Sequence, residues 1–91
     1  MSRCQAEVEI MNELGLHLRA AAAFAKVAER YGCEVLLEHG TMSANGKSVI
    51  ALVTLAAARG SFVRIVAEGE GAEDAVDALV DLIAGRFGEQ R

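Results

Sequence analysis

The chain has no proline and no tryptophan, and only two cysteines among its 91 residues. With no proline, no internal repeat and no low-complexity segment, nothing marks a linker, and the length fits one domain over residues 1–91. Cys4 and Cys33 do not form a Cys-x-x-Cys pair, and no set of histidines and carboxylates at ligand spacing accompanies them. They read as small packed thiols rather than a metal site, so no metal and no cofactor is expected. Positive charge is scarce: 9 Lys and Arg against 13 Asp and Glu give a net charge of -4, and no two basic residues are adjacent. Such a surface is ill suited to neutralising the phosphates of a nucleic acid or to an anionic membrane. No apolar run nears the ~18 residues of a membrane span. The opening MSRCQAEVEI carries no apolar region ahead of its charges, so the expected location is the cytoplasm, without membrane insertion.

What the chain does have is apolar content, 53% of it, which excludes a disordered protein. A domain of this size hides roughly 60–65% of its unfolded surface, a thin but sufficient core. In CQAEVEIM, Ala6, Val8 and Ile10 alternate with Glu7 and Glu9, the pattern of a half-buried strand. From Leu18 to Tyr31, Ala21, Phe24, Ala28 and Tyr31 recur at helical spacing, and Gly32 is the expected stop. CEVLLEH and TMSA read as two strands joined at Gly40-Thr41. Ser48 to Ala57 reads as a short helix with a stripe of Val49, Leu52, Val53 and Ala56. SFVRIVAEG is a fourth strand, with Val63, Ile65 and Ala67 inward. A last helix begins with Glu73 and Asp74 in its first turn, where carboxylates suit the positive helix end. It buries Val76, Leu79, Val80, Ile83 and Phe87, and the tail GEQR is expected to fray. The order is βαββαβα, which implies an α+β fold. One sheet is covered by helices on a single face and is wet on the other.

The stretch GLHLRAAAAF, residues 15–24, sets His17 and Arg19 at the start of the first helix. The first four N–H groups of a helix lack internal partners, and the macrodipole adds partial positive charge there. An anion at His17 is therefore stabilised by the backbone alone. The planar fork of Arg19 matches phosphate oxygens. Imidazole is a nucleophile near neutral pH and forms covalent intermediates. This arrangement suggests phosphoryl transfer onto and off a ring nitrogen, in which the protein chiefly positions groups and stabilises charge. A small hydrolase of the acylphosphatase kind could use Asn12 and Arg19, but NELGLHLR lacks a glycine-rich phosphate cradle. His39, beside Gly40, reads as a solvated turn residue, and Met11 and Met42 as core or edge fillers.

GLHLRAA resembles the active-site signature of the histidine-containing phosphocarrier protein (HPr) family of the bacterial sugar phosphotransferase system, Gly-Leu/Ile-His-Ala-Arg-Pro-Ala. NGKSVIALVTLAA, residues 45–57, is similar to the family's regulatory segment. The two motifs stand at the family's spacing, and the resemblance runs over nearly the whole chain. It implies an open-faced β-sandwich with a four-stranded antiparallel sheet and three helices on one face. It further implies that His17 accepts a phosphoryl group on Nδ1 from Enzyme I and passes it to IIA domains, with Arg19 assisting. Ser48 matches the serine that HPr kinase/phosphorylase modifies in many Gram-positive bacteria. Leu18, Val49, Ile50 and Val53 fall on the partner-docking patch, and a monomer is expected so that His17 stays open. Such a protein is a phosphotransfer intermediate rather than a stand-alone catalyst.

Two positions depart from the signature: Leu18 replaces its alanine and Ala20 its proline. Ala20 restores an N–H in the first turn, and Leu18 adds apolar bulk beside His17. These departures leave open an alternative, a regulatory paralogue of the nitrogen branch or a serine-phosphorylated binding module, not serving bulk sugar uptake. Ser48 is also a favourable helix N-cap in its own right.

Overall fold

The computed structural model describes residues 2–91. The elements run β1 (Arg3–Glu9), α1 (Leu18–Ala28), β2 (Glu34–His39), β3 (Met42–Asn45), α2 (Val49–Thr54), β4 (Phe62–Glu68) and α3 (Ala72–Ala84), then a single 3-10 turn, Arg86–Gly88. The strands form one antiparallel sheet in the order β1-β4-β2-β3. This is the open-faced α+β sandwich expected from the alternation of the strands.

Alternation decides which face is covered. Ala6 and Val8 of β1 stand opposite Ile65 and Val63 of β4, and Leu37 of β2 stands opposite Ile65 and Ala44. Against this inner face pack Ala21 and Phe24 of α1, Leu52 of α2 and Leu79 and Ile83 of α3, all buried. Each large side chain hidden here contributes about 1.5–3 kcal/mol. The outer face carries Glu7, Glu38 and Arg64 in one row, with an Arg64–Glu38 ion pair at 3.6 Å. Val66 departs from the polar pattern of that face: it is buried, flanked in the sheet by Gln5 and Leu36.

Several expected boundaries move. α1 ends at Ala28, short of Tyr31 and Gly32, because its last turn tightens into 3-10 bonds, Arg30 N–H to Val27 O and Tyr31 N–H to Ala28 O. α2 ends at Thr54, and Ala56 lies beyond it, exposed and in the left-handed region at φ 51°. The stripe also differs. Leu52 is buried, and Leu55 and Ala57 reach the core from the following loop, whereas Val53 is exposed. Phe87 lies outside α3, in the turn after it.

Two expectations about polar and terminal residues are overturned. His39 is not merely solvated: its Nδ1–H donates to Leu55 O at 2.9 Å, tying the end of β2 to the end of α2. The first half of the tail, Gly88 and Glu89, is tied down by hydrogen bonds. Arg86 and Phe87 adopt left-handed backbone angles, φ 58° and 54°, and Phe87 packs against the core. Gly88 N–H and Glu89 N–H close the turn onto Gly85 O and Arg86 O. The chain is thereby reversed and carried back toward the start of α1.

Candidate functional site

The loop between β1 and α1 is held on both sides. Ile10 exchanges backbone hydrogen bonds with Gly60 and Ser61, and Leu16 N–H donates to Ala57 O at 2.9 Å. Gly15 makes this approach possible. Its φ is +67°, and a Cβ there would lie 2.6 Å from Ala57 O. Asn12 is fully buried, and its Nδ2 donates to Gly15 O at 2.7 Å, closing the loop from inside. Leu16, the residue before His17, is also buried and anchors the chain there.

His17 is the N-cap of α1, with extended backbone at φ -79° and ψ -179°. Its carbonyl accepts from Ala21 N–H, the first intrahelical bond. Its Nδ1 accepts the Arg19 N–H at 3.3 Å, so the ring itself caps the helix. The opposite ring nitrogen, Nε2, contacts the Glu89 carboxylate through Oε2. The other Glu89 oxygen, Oε1, accepts from Asn12 Nδ2 at 2.9 Å. His17 is thus gripped at Nε2, while its Nδ1 edge looks onto the helix N-terminus.

Burial pushes the Glu89 carboxyl up, but the hydrogen bonds from Asn12 and His17 and the charges of His17 and Arg19 outweigh it, holding the group below the usual carboxylate range. Glu89 is therefore an anion at neutral pH. Arg19 shares with it the wall of an open cavity of about 550 Å³, together with Glu13, Leu14 and Arg91. Among the described residues the Arg19 guanidinium has no hydrogen-bond or ion-pair partner. A second hollow, of about 570 Å³ between β1 and α3, is walled by Glu73, Asp77 and Asp81, which repel a phosphate.

The remaining sequence candidates gather on α2 and the first turn of α1, which pack together. Ser48 is the N-cap of α2, its Oγ accepting the Ala51 N–H at 3.3 Å. Leu18 is 63% exposed, Ile50 78% and Val53 37%, large apolar groups left in water. Val49 is half-buried against the core. Ala20 is buried, so the residue standing in place of the signature's proline faces the interior, whereas Leu18 faces out beside His17.

Reading the sequence alone misses Glu89, 72 residues from His17, and gives Asn12 no part in holding the ring. No local pattern marks the carboxylate, since only the left-handed turn at Arg86–Phe87 brings it to the site. Asn12 carries a weak signal: an amide just ahead of a glycine in a loop between apolar elements.

The chain matches the family described as "PTS HPr component phosphorylation site" over residues 4–85. It is 46% identical to the phosphocarrier protein HPr of Pseudomonas aeruginosa over 84 residues, 91% of this chain and 93% of that protein. It is 33% identical to the phosphocarrier protein NPr of Shewanella violacea, with 98% of each covered. Among solved structures, the crystal structure of HPr-C-His from Thermoanaerobacter tengcongensis superposes with a TM-score of 0.92 at 36% identity, across 97% of this chain and 99% of that one.

Proposed function

We propose that this chain, which belongs to the HPr family of phosphocarrier proteins, takes a phosphoryl group onto Nδ1 of His17 from phosphorylated Enzyme I and passes it to IIA domains of the phosphotransferase system. The observation that carries the reading is the orientation of the ring: Nε2 is engaged by Glu89, and Nδ1 faces the Arg19 N–H at the mouth of α1. A phosphoryl group arriving at Nδ1 meets the unpaired N–H groups and positive end of the helix. The Arg19 guanidinium, which has no partner among the described residues, is free to swing onto its oxygens. Chemistry of this kind needs little beyond such positioning and charge stabilisation.

Docking is assigned to Leu18, Ile50 and Val53, exposed beside the site, with Val49 supporting them from below. Exposed apolar patches of this sort, desolvated when a partner docks, supply the anchors of a transient interface. Ser48 is assigned a regulatory role within that patch. Its phosphate, of charge about -1.5 to -2, would suit the start of α2 but oppose burial of the neighbouring apolar groups. The chain acts as a monomer in the cytoplasm. Among the described residues no helix is long and apolar enough to cross a membrane, and no cluster of ligands could hold a metal ion.

A second reading, service in a nitrogen-related branch, is favoured by the likeness to NPr across 98% of the chain and by Leu18 and Ala20 in the signature. The Enzyme I paralogue that labels the protein faster separates the two. The carrier role itself is tested by incubation with phosphoenolpyruvate and the host's Enzyme I, followed by intact-mass spectrometry. One acid-labile phosphoryl group is expected on the wild type and none on His17→Ala.

A further inference from the structure

We infer that a hollow walled by Arg59, Arg86 and Arg91 is a second anion site, which takes a small organic phosphate. The hollow measures about 320 Å³ and is completed by Met11, Glu13 and Gln90. Neither His17 nor Arg19 lines it, and the inference does not depend on the carrier reading. Two of the three arginines lie beyond residue 85, where the match to the family ends.

An acidic chain, with 9 basic residues against 13 acidic ones, sets three of the nine around this one small hollow. Like charges brought together repel, and guanidiniums cannot escape by losing a proton. Carboxylates would relieve them, but here the relief is incomplete. Among the described residues Glu13 supplies the only side-chain carboxylate on the wall, and none of the three guanidiniums has an ion-pair partner. Arg86 makes one long hydrogen bond, from Nη1 to Gln90 O at 3.4 Å. The backbone nevertheless holds the arginines in place. Gly60 N–H donates to Ile10 O and Ile10 N–H to Ser61 O, each at 2.8 Å, which pins the turn of Arg59 against the loop of Met11 and Glu13. Arg86 lies in the left-handed region at φ 58°, a conformation that residues with a side chain avoid, and Phe87 beside it packs on the core. The fold thus sets strained backbone and unrelieved charge at the same hollow.

The chemistry of the wall selects the ligand. Guanidinium forks pair with the oxygens of phosphates and carboxylates. The three forks come from three places in the chain, the turn after α2, the turn after α3 and residue 91. A phosphate monoester offers three terminal oxygens in a tetrahedral array to such a set, where a carboxylate offers two in one plane. The hollow is at the small end of ligand sites, so the occupant carries only a few carbons. Met11, 39% exposed, gives those carbons an apolar wall, and the Gln90 amide can serve a hydroxyl. Glu13 opposes the anion and disfavours a ligand with a second negative group on its side. The hollow shares Glu13, Gln90 and Arg91 with the cavity that Arg19 lines, so its occupant is a neighbour of the His17 site.

The test titrates the full unphosphorylated chain with glycerol phosphate, succinate and glycerol at about 0.15 M salt, following arginine Nε–H and backbone amide signals in ¹H–¹⁵N spectra. Saturable shifts of the Arg59 and Arg86 signals are expected with glycerol phosphate, weaker binding with succinate and none with glycerol. Arg59→Gln and Arg86→Gln each remove one charge-assisted fork, and each should weaken binding roughly tenfold. Should Arg86→Gln fail to fold, Arg59→Gln, in an exposed turn, carries the comparison. Arg64→Gln, on the outer face of the sheet, should bind as the wild type does, and so should His17→Ala. Shifts that rise without saturating, or binding unaltered in Arg59→Gln, overturn the inference. Binding lost in His17→Ala overturns it too, because the ligand would then occupy the His17 site. Succinate held as tightly as glycerol phosphate overturns the choice of a phosphate. No binding of either anion, beside weaker docking of Enzyme I to Arg59→Gln, also overturns it and gives the arginines to an acidic protein surface.

Discussion

At the scale of single residues, the proposed chemistry turns on how the two edges of the His17 ring are held, Nε2 by Glu89 and Nδ1 by the Arg19 N–H. Glu89 engages Nε2, and its own charge state sets whether that grip holds. Its carboxyl lies below the ordinary value of 4.5 in the folded protein. The contact therefore contributes stability that is present above the unfolded-state value and is lost as pH falls through the lower, folded one. Titrating from neutral pH into the acid range, amide hydrogen exchange at residues 88–90 should remain slow until the carboxylate range is passed and then rise. In Glu89→Gln the same amides should exchange without that acid transition. A transition unchanged in the variant would mean that another group releases the tail. His17 and Arg19 were legible in the sequence because they lie two residues apart at one helix start, where local physics already favours an anion. Glu89 was not, because its part depends on a tertiary reversal that no window of sequence contains.

At the scale of elements, the site is made rigid by a loop pressed against another loop. Gly15 is the point of closest approach, and its backbone angle and the nearness of Ala57 O both exclude a side chain. Gly15→Ala should cost about 1–3 kcal/mol through backbone strain, with further loss from the clash. In a domain of this size each kcal/mol lowers Tm by about 4–8 °C. A thermal scan by circular dichroism checks this, and a Tm within a degree of wild type would contradict the account of the loop. The elements themselves were legible from periodicity, since apolar alternation and helical stripes coincide with the strands and helices that form. Their ends were not. α1 gives out at Ala28 through a tightened last turn, although Gly32 offered a conventional stop. Phe87 kept the spacing of α3's stripe yet packs on the core from a separate turn, because a half-buried aromatic can anchor a chain that has already left its helix.

At the scale of the whole molecule, the two faces of the fold differ in character. The helical side carries the N-caps His17 and Ser48 and the exposed apolar groups, and the sheet's outer face carries paired charges. A charge at Ser48 should then leave the fold intact and weaken docking. Ser48→Asp still offers a cap oxygen, so its Tm should stay within a few degrees of wild type. The concentration of protein that half-saturates Enzyme I should meanwhile rise several-fold. Unaltered kinetics would place the docking surface elsewhere. The βαββαβα order and a single sheet covered on one face were readable in advance because each strand has one apolar face and each helix one apolar stripe, while the antiparallel arrangement was implied by the family resemblance. What the tail does was not readable, since termini are ordered only by contacts that lie far away in sequence.

The central claim is that His17 both accepts and gives up a phosphoryl group, and one experiment addresses both halves. Phosphorus NMR would follow the protein during incubation with phosphoenolpyruvate and catalytic Enzyme I, and then after addition of a IIA domain. A phosphohistidine signal of the Nδ1 type should grow in, be absent from His17→Ala, and decay as the IIA domain takes the label. No such signal with an active Enzyme I, or a signal that persists in His17→Ala, would contradict the account.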